Sequence, residues 1–282
     1  MREGQRAATG AAGRRWPASR GTRAGASPPG TGAFALGSGA RGLFTGRPGG
    51  CSAGPFAGLN LSAAVGDDPA AVRRNRDLVL DQVAPGPAWL AWLRQVHGAR
   101  VVYVPGGGWP PGSARAGPGG DGGPPADAMF TDSPEVALGI LVADCAPVLL
   151  ADPAARLVGA AHAGRAGLAL GVVPELVAAM TAAGAQPGRI RAVIGPAICG
   201  GCYELPAALA ARVSAAAPGS ACVTRRGTPG VDLRAGLRAQ LRRLGVRRVS
   251  DDARCTAESA ELFSYRRDGT TGRFAGLIWL TA

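Results

Sequence analysis

The stretch VALGILVADCAPVLLADPAARLVGAAHAG, residues 136–164, decides the fold. It is the most strand-like part of the chain, and residues 136–162 read as strand, turn, strand. Asp152-Pro153-Ala154-Ala155 fits a type I turn, with Asp at the first position and Pro at the second. A turn centred between 153 and 154 makes Cys145 and His162 direct cross-strand partners, with Cβ atoms about 4.5–5.5 Å apart on one face. That separation suits a thiolate and an imidazole sharing one metal ion, and equally a Cys–His nucleophile pair. Pro147 cannot donate to a ladder, so the strand is expected to lie at an edge or to bulge there. Asp144 points to the opposite face of a regular strand and reads as a hydrogen-bond partner rather than a ligand.

Outward from this core, a helix is expected after Asp67-Asp68-Pro69, with Asp as N-cap and Pro at the first helical position. Val72, Leu78, Val79 and Val83 would form its apolar face. Trp89–Val96 and Arg100–Val104 read as strands flanking the His97-Gly98 turn. Residues 105–125 are too rich in Gly and Pro for a regular element. Pro174 opens a helix toward Ala182, Arg191–Gly195 is a short strand, and Pro206–Ala215 is a helix. Asp232 caps a further helix over Leu233–Leu244, and Phe274–Leu280 is a closing strand. No clean βαβ rhythm emerges, which implies an α/β fold with mixed sheets in a single domain over residues 42–282. Residues 1–41, dominated by Ala, Gly, Arg and Pro, read as a disordered basic extension.

Charge narrows the partners. All 31 basic residues are Arg, and the net charge is +12. Half of that excess falls before residue 43, where Arg2, Arg6, Arg14, Arg15, Arg20, Arg23 and Arg41 face only Glu3. The later cluster Arg242, Arg243, Arg247 and Arg248 has no interleaved aromatics, so a solvated helix end is expected and no nucleic-acid partner. The basic N-terminus lacks the apolar core of a secretory signal, and no stretch approaches the ~18 apolar residues of a membrane span. A cytoplasmic protein with no membrane partner, monomeric or weakly dimeric, is the expectation. Its six cysteines then read as reduced thiols. Cys199 and Cys202 form a C-x-x-C, half of a zinc knuckle. The other half is missing from the sequence, since Cys222 and Cys255 stand alone, and Gly200-Gly201 suits a plain turn.

Only two histidines occur, each beside small residues: His97-Gly98, and Ala161-His162-Ala163-Gly164. Glycine next to a histidine leaves the imidazole reachable. His97 is therefore the natural third ligand beside Cys145 and His162. Zinc enzymes commonly use three protein ligands and keep the fourth position open.

Several motifs, in order, resemble one family. QVHG (95–98), ADCAPVLL (143–150), AHAG (161–164), IGPAICGGCYEL (194–205) and FSYRRDGTTGR (263–273) are joined by FTGRPGG (44–50), LNLS (59–62) and VGDDPAAVRRNR (65–76). Together they resemble the YfiH-like family, also described as laccase-type purine nucleoside phosphorylases and as peptidoglycan-editing factors. The resemblance spans roughly residues 42–282. It implies a four-layered α/β/β/α sandwich and a zinc site at His97, Cys145 and His162, with copper as the alternative metal. It further implies phosphorolysis of adenosine, inosine and methylthioadenosine to free base and sugar 1-phosphate, and deamination of adenosine. Purine nucleosides and phosphate would be the partners. Arg47, Arg266 and Arg273 fall in the motifs and could offer phosphate bidentate contacts, with Asn60 and Gln95 as polar lining.

One departure stands out. The family continues the second His motif as H-x-G-W-R-G, whereas this chain reads His162-Ala163-Gly164-Arg165-Ala166-Gly167. The aromatic is lost and the Arg moves forward by one position, which bears on base stacking and phosphate contact at that wall. Two rival readings carry different requirements. A laccase-like multicopper polyphenol oxidase needs many more imidazoles than two. A metal-free hydrolase, for example one editing peptidoglycan precursors, would use Cys145 as nucleophile and His162 as base.

Overall fold

Strands buried on both faces carry unbroken apolar runs rather than alternation. Val136–Val142, Ala146–Asp152, Leu157–Ala163 and Phe274–Leu280 are such strands, buried at all seven positions. The structure, a computed structural model, describes residues 33–83, 86–107 and 123–281. In chain order its elements begin with β1 (Phe34–Ala35), β2 (Ala40–Phe44), α1 (Pro69–Val83), β3 (Trp89–Ala91), β4 (Val101–Tyr103) and β5 (Ala128–Thr131). The centre of the chain gives β6 (Val136–Val142), β7 (Ala146–Asp152), β8 (Leu157–Ala163), α2 (Arg165–Leu170), α3 (Val172–Ala182) and β9 (Arg191–Ile194). Then come α4 (Ala207–Ala216), β10 (Ala221–Val223), β11 (Pro229–Val231), α5 (Leu233–Arg243), β12 (Arg248–Asp251), α6 (Tyr265–Asp268) and β13 (Phe274–Leu280).

These strands build a five-stranded sheet ordered β1-β2-β13-β6-β3, a six-stranded sheet ordered β12-β9-β7-β8-β5-β4, and a small β10-β11 ribbon. Both large sheets mix parallel and antiparallel pairs. Three apolar layers separate four structural ones. Val79 and Val83 of α1 pack with Leu277 and Trp279 on the outer face of the five-stranded sheet. Leu138, Ile140, Leu149 and Val158 fill the space between the sheets. Val148 and Leu150 meet Leu176, Val177, Leu237 and Leu241 beneath α3 and α5. The α/β/β/α sandwich implied by the family motifs is the observed fold.

The central stretch differs from its reading in number and register. Residues 136–162 hold three strands, because the chain leaves the five-stranded sheet after Val142 and joins the other at Ala146. Asp144 takes a positive φ of 101° at this crossing. The β7–β8 hairpin pairs Asp152 with Leu157 and Pro147 with His162. Its loop is thus two residues longer on the far side than expected, with Arg156 in the left-handed region at φ 50°. Cys145 is consequently not the direct partner of His162. The slip is two residues, and side chains alternate with period two, so Cys145 stays on the His162 face. Strand β7 is an inner strand between β8 and β9. Pro147 is tolerated as its second residue, where its carbonyl accepts from Gly195 N at 2.8 Å.

Smaller expectations are also settled. Trp89–Val96 and Arg100–Val104 shrink to β3 and β4, which lie in different sheets instead of flanking a turn. In α1 the Asp68 carboxylate accepts from Ala70 N, while Leu78 points to solvent at 42% exposure. Pro174 is the third residue of its helix, and Asp232 caps α5 by accepting from Ala235 N at 3.0 Å. Strand structure begins at Phe34, ahead of the expected boundary at residue 42. Residues 1–32 of the expected extension, and 108–122 of the Gly/Pro-rich loop, lie outside the described residues.

Gly139 on β6 lies against the indole of the buried Trp92, where a Cβ would come within 2.4 Å of the ring. Gly139→Ala should therefore cost about 1–3 kcal/mol through overpacking of the layer beneath α1, read as a lowered thermal unfolding midpoint.

Candidate metal centre

Two connections cross from the five-stranded to the six-stranded sheet, and each delivers a candidate residue to the same end of the inter-sheet layer. The β3–β4 connection carries His97, and the β6–β7 connection carries Cys145. His162 reaches them from near the end of β8, itself 3% exposed. One ligand atom from each of the three lies within 4.8 Å of the other two. The imidazoles meet edge to face with ring centroids 4.7 Å apart. Gly164 leaves room for this approach, since a Cβ there would stand 2.7 Å from Cys145 Sγ and 3.3 Å from the His97 ring.

A buried carboxylate organises the histidines. Asp127, fully buried just before β5, is the cross-strand neighbour of His162, whose backbone N donates to Asp127 O at 2.7 Å. Its Oδ1 lies 2.8 Å from His162 Nδ1, which fixes the ring and turns Nε2 toward the shared space. The same carboxylate accepts backbone N–H groups from Val96, His97 and Gly98 at 3.2, 2.9 and 2.6 Å. Three successive amides converge on one anion only if the chain curls into a nest, and His97 accordingly has φ 60°. Left-handed backbone at a non-glycine residue costs of order 1–3 kcal/mol, and the charge-assisted bonds offset it. Burial alone would raise the Asp127 carboxyl, yet the His162 hydrogen bond and the Gly98 and Val96 amides hold it below the ordinary range.

Asp144 performs the same service for the other crossing. Its carboxylate accepts from Thr256 Oγ1, from Ser264 Oγ at 2.7 Å and from Arg266 N at 2.6 Å. It does not join the ligand cluster, and it offsets the strain of its own positive φ in the same way.

Electrostatics tie thiol to ring. Burial pushes the Cys145 thiol up, but the His162 charge and hydrogen bonds from both imidazoles outweigh it and bring the thiol to about 6. Burial likewise disfavours charged His162, but the Cys145 thiolate and Asp127 raise it to about 9. Each charge stabilises the other, so the metal-free pair is a thiolate and an imidazolium at neutral pH. Two nitrogens and a thiolate, with an ordered carboxylate behind one ring, are a donor set that zinc accepts.

A cavity of about 620 Å³ opens over the cluster. Gln95, Arg266 and Arg273 line it together with His97, Cys145 and His162. Gln95 spends its amide on the backbone of Leu141, bonding both N and O of that residue. Arg266 lies over the Tyr203 ring and donates to Glu204 O, while Arg273 donates to the carbonyls of Thr271 and Gly272. Arg47 and Asn60 are not among the lining residues. Arg47 stacks on Phe263 and donates to Ala57 O. Asn60, fully buried, ties Ser62 to the backbone N of Arg273 and so shapes the rim. Arg165, Tyr203 and Tyr265 also line the cavity. The tyrosines were not singled out in the sequence, although each falls inside a quoted motif. Asp127 was missed altogether; its one signal is an acidic residue between alanines at the start of an apolar strand.

In Asp127→Asn an amide N–H would oppose donors that now meet an oxygen. We expect metal retention at the cluster to fall about 10–100-fold in a chelator competition titration. Because the native carboxyl is held low, its stabilisation is present above about pH 4 and lost as pH falls through the depressed value. The acid limb of the stability curve should therefore flatten in the variant. For the thiol, iodoacetamide alkylation of chelator-treated protein should follow an apparent pKa near 6. In His162→Ala that profile should move up toward the ordinary thiol value of about 8.5; an unshifted profile would contradict the pairing.

The chain is similar to proteins of one known family. Residues 41–281 match a family model described as multi-copper polyphenol oxidoreductase laccase. The purine nucleoside phosphorylase ORF3 of Streptomyces griseus is 52% identical over 237 residues, covering 84% of this chain and 93% of that relative. YlmD from Geobacillus stearothermophilus has a similar structure, with TM-score 0.78 at 34% identity over 86% of this chain and 93% of its own. The hypothetical protein YfiH of Bacillus licheniformis gives 0.76 at 32% identity over 86% and 93%.

Proposed function

We propose that this chain, which belongs to the YfiH-like family described as multi-copper polyphenol oxidoreductase laccase, is a zinc-dependent purine nucleoside phosphorylase. Its substrates would be adenosine, inosine and methylthioadenosine, with adenosine deamination as a second activity. One observation carries the reading: a His–Cys–His cluster shares a cavity with four arginines and two tyrosines. The name of the Streptomyces griseus relative supports it.

The cavity volume falls in the range of small-molecule sites. Tyr203 and the 63% exposed Tyr265 offer ring faces for a purine. They supply aromatic surface near the wall where the family's Trp is replaced. Arg165, Arg266 and Arg273 bring guanidinium donors that match a phosphate's geometry. Phosphorolysis joins a phosphate oxygen to the sugar C1′ while the bond to the purine nitrogen breaks, so cationic groups must hold the nucleophile in line. Burial and the Cys145 charge push the Tyr203 phenol up, keeping it protonated and able to donate. His97, Cys145 and His162 would hold the zinc, with Asp127 orienting His162. Bound there, the ion would supply Lewis acidity at the inner end of the cavity.

A second reading draws on the thiolate–imidazolium pair itself, which is the charge state of a cysteine hydrolase. Multicopper oxidation is the weaker alternative, because a chain with two histidines cannot furnish type 1 and trinuclear copper sites.

Products from adenosine, followed by mass spectrometry with and without phosphate, test the proposal. Adenine with ribose 1-phosphate, formed only with phosphate, is expected, together with inosine in either condition; neither product overturns it. His162→Ala should lose metal and turnover together. Wild-type turnover in that variant would overturn both readings, whereas activity that resists chelation yet fails on alkylation, and is also lost in His162→Ala, would favour the cysteine reading.

A further inference from the structure

The C-x-x-C pair is not alone in the folded chain. Cys199, Cys202, Cys255 and Glu258 bring three sulfurs and a carboxylate oxygen within 4.8 Å of one another. Sequence gave Cys199 and Cys202 no second half, because Cys255 arrives from more than fifty residues away. A parallel bridge between Ala197 and Cys255 lays the two segments side by side.

We propose that these four residues form a second metal site, a closed zinc centre that is structural rather than catalytic. Cys199 and Cys202 sit on a turn in which Cys202 N donates to Cys199 O at 3.0 Å, the compact spacing of a zinc-binding C-x-x-C. Cys199 N donates to Cys255 Sγ at 3.3 Å, the backbone bond that steadies a ligating thiolate. Zn–S bonds of about 2.3 Å put two thiolates about 3.8 Å apart on a tetrahedral ion, so the cluster needs only small side-chain adjustments to close. A disulfide between any two sulfurs would strand the third, and all six cysteines are free thiols. Glu258 completes four ligands. It lies 3.3 Å from Cys202 Sγ and pairs with Arg225, which also donates to that sulfur and offsets the surplus negative charge. On binding, the three thiols release their protons to solvent and no electrons move.

The placement suggests what the centre secures. Tyr203 follows Cys202, and Thr256, which bonds Asp144, follows Cys255. Zinc here would staple the 197–203 turn to the 255–266 segment, the two pieces of backbone that carry Tyr203 and Arg266 into the cavity.

Cobalt(II) titration of the reduced, chelator-stripped Cys145→Ser protein tests this independently of the purine reading. Cobalt held by His97 and His162 alone gives no thiolate charge transfer, so such absorption would report the second cluster. One equivalent with that absorption is expected, lost when Cys202→Ser is added, with weaker binding in Glu258→Gln. Absence of the absorption overturns the site, and unchanged affinity in Glu258→Gln overturns the four-ligand assignment. Should Cys145→Ser fold poorly, alkylation mapped by mass spectrometry on wild-type protein decides instead. Zinc should protect Cys199 and Cys202 while Cys51 labels freely, and equal labelling overturns the site.

Discussion

The candidate centre depends on one buried anion. Asp127 accepts four hydrogen bonds, one from the His162 ring and three from the backbone around His97. Those bonds join a strand of the six-stranded sheet to the connection that arrives from the five-stranded one. Without them, the His97 loop would have to keep three amides unpaired and a left-handed residue unsupported. A neutral side chain could satisfy some of these donors, but four donors converging on two oxygens call for a charge. The carboxylate thus fixes the His162 ring and, at the same time, the backbone that carries the His97 ring.

The sandwich supplies such places because it has two sheets. Each chain crossing between them must turn sharply, and sharp turns by non-glycine residues need local compensation. Asp127 offsets the strain at His97, and Asp144 offsets its own. Both crossings end at the mouth of the inter-sheet layer, where the ends of β6, β7 and β8 leave backbone and side chains within reach of solvent. Apolar surroundings then strengthen the coupling between Cys145 and His162. A metal entering the cluster must compete with that coupling, because a ligating His162 must lose the proton that Cys145 and Asp127 help it keep.

Much of this was legible in the sequence, and the pattern of misses has physical causes. Cys145, His97 and His162 stood out because their residue types are scarce and chemically loaded. The hairpin register was misread, since Asp152-Pro153 opens a longer loop than the two-residue turn it resembles, yet a two-residue slip preserves the face. Strands β6 and β7 looked continuous because both are buried on two sides and the break between them is three residues long. Asp127 carried almost no signal: nothing local marks one Asp as the partner of a histidine thirty-five residues later. The same holds for Cys255, whose meeting with the C-x-x-C turn is set by strand placement alone. The Asp232 cap and the closing strand β13 were readable because their determinants are local.

The wall opposite the histidines has its own logic. Arg266 is held through its backbone by Asp144 and through its guanidinium by Glu204 O, with its charge over the Tyr203 ring. Tyr203 in turn hangs from the turn that contains Cys199 and Cys202. Both groups that would meet the substrate from this side therefore sit on irregular backbone, with no strand or helix of their own to hold them beyond the four-residue α6. Irregular segments that must present side chains accurately need cross-links. One is visible in the Asp144 bonds to Thr256, Ser264 and Arg266. The sulfur cluster sits where the second is required, on the far side of the same two segments. A metal there would do for this wall what Asp127 does for the other.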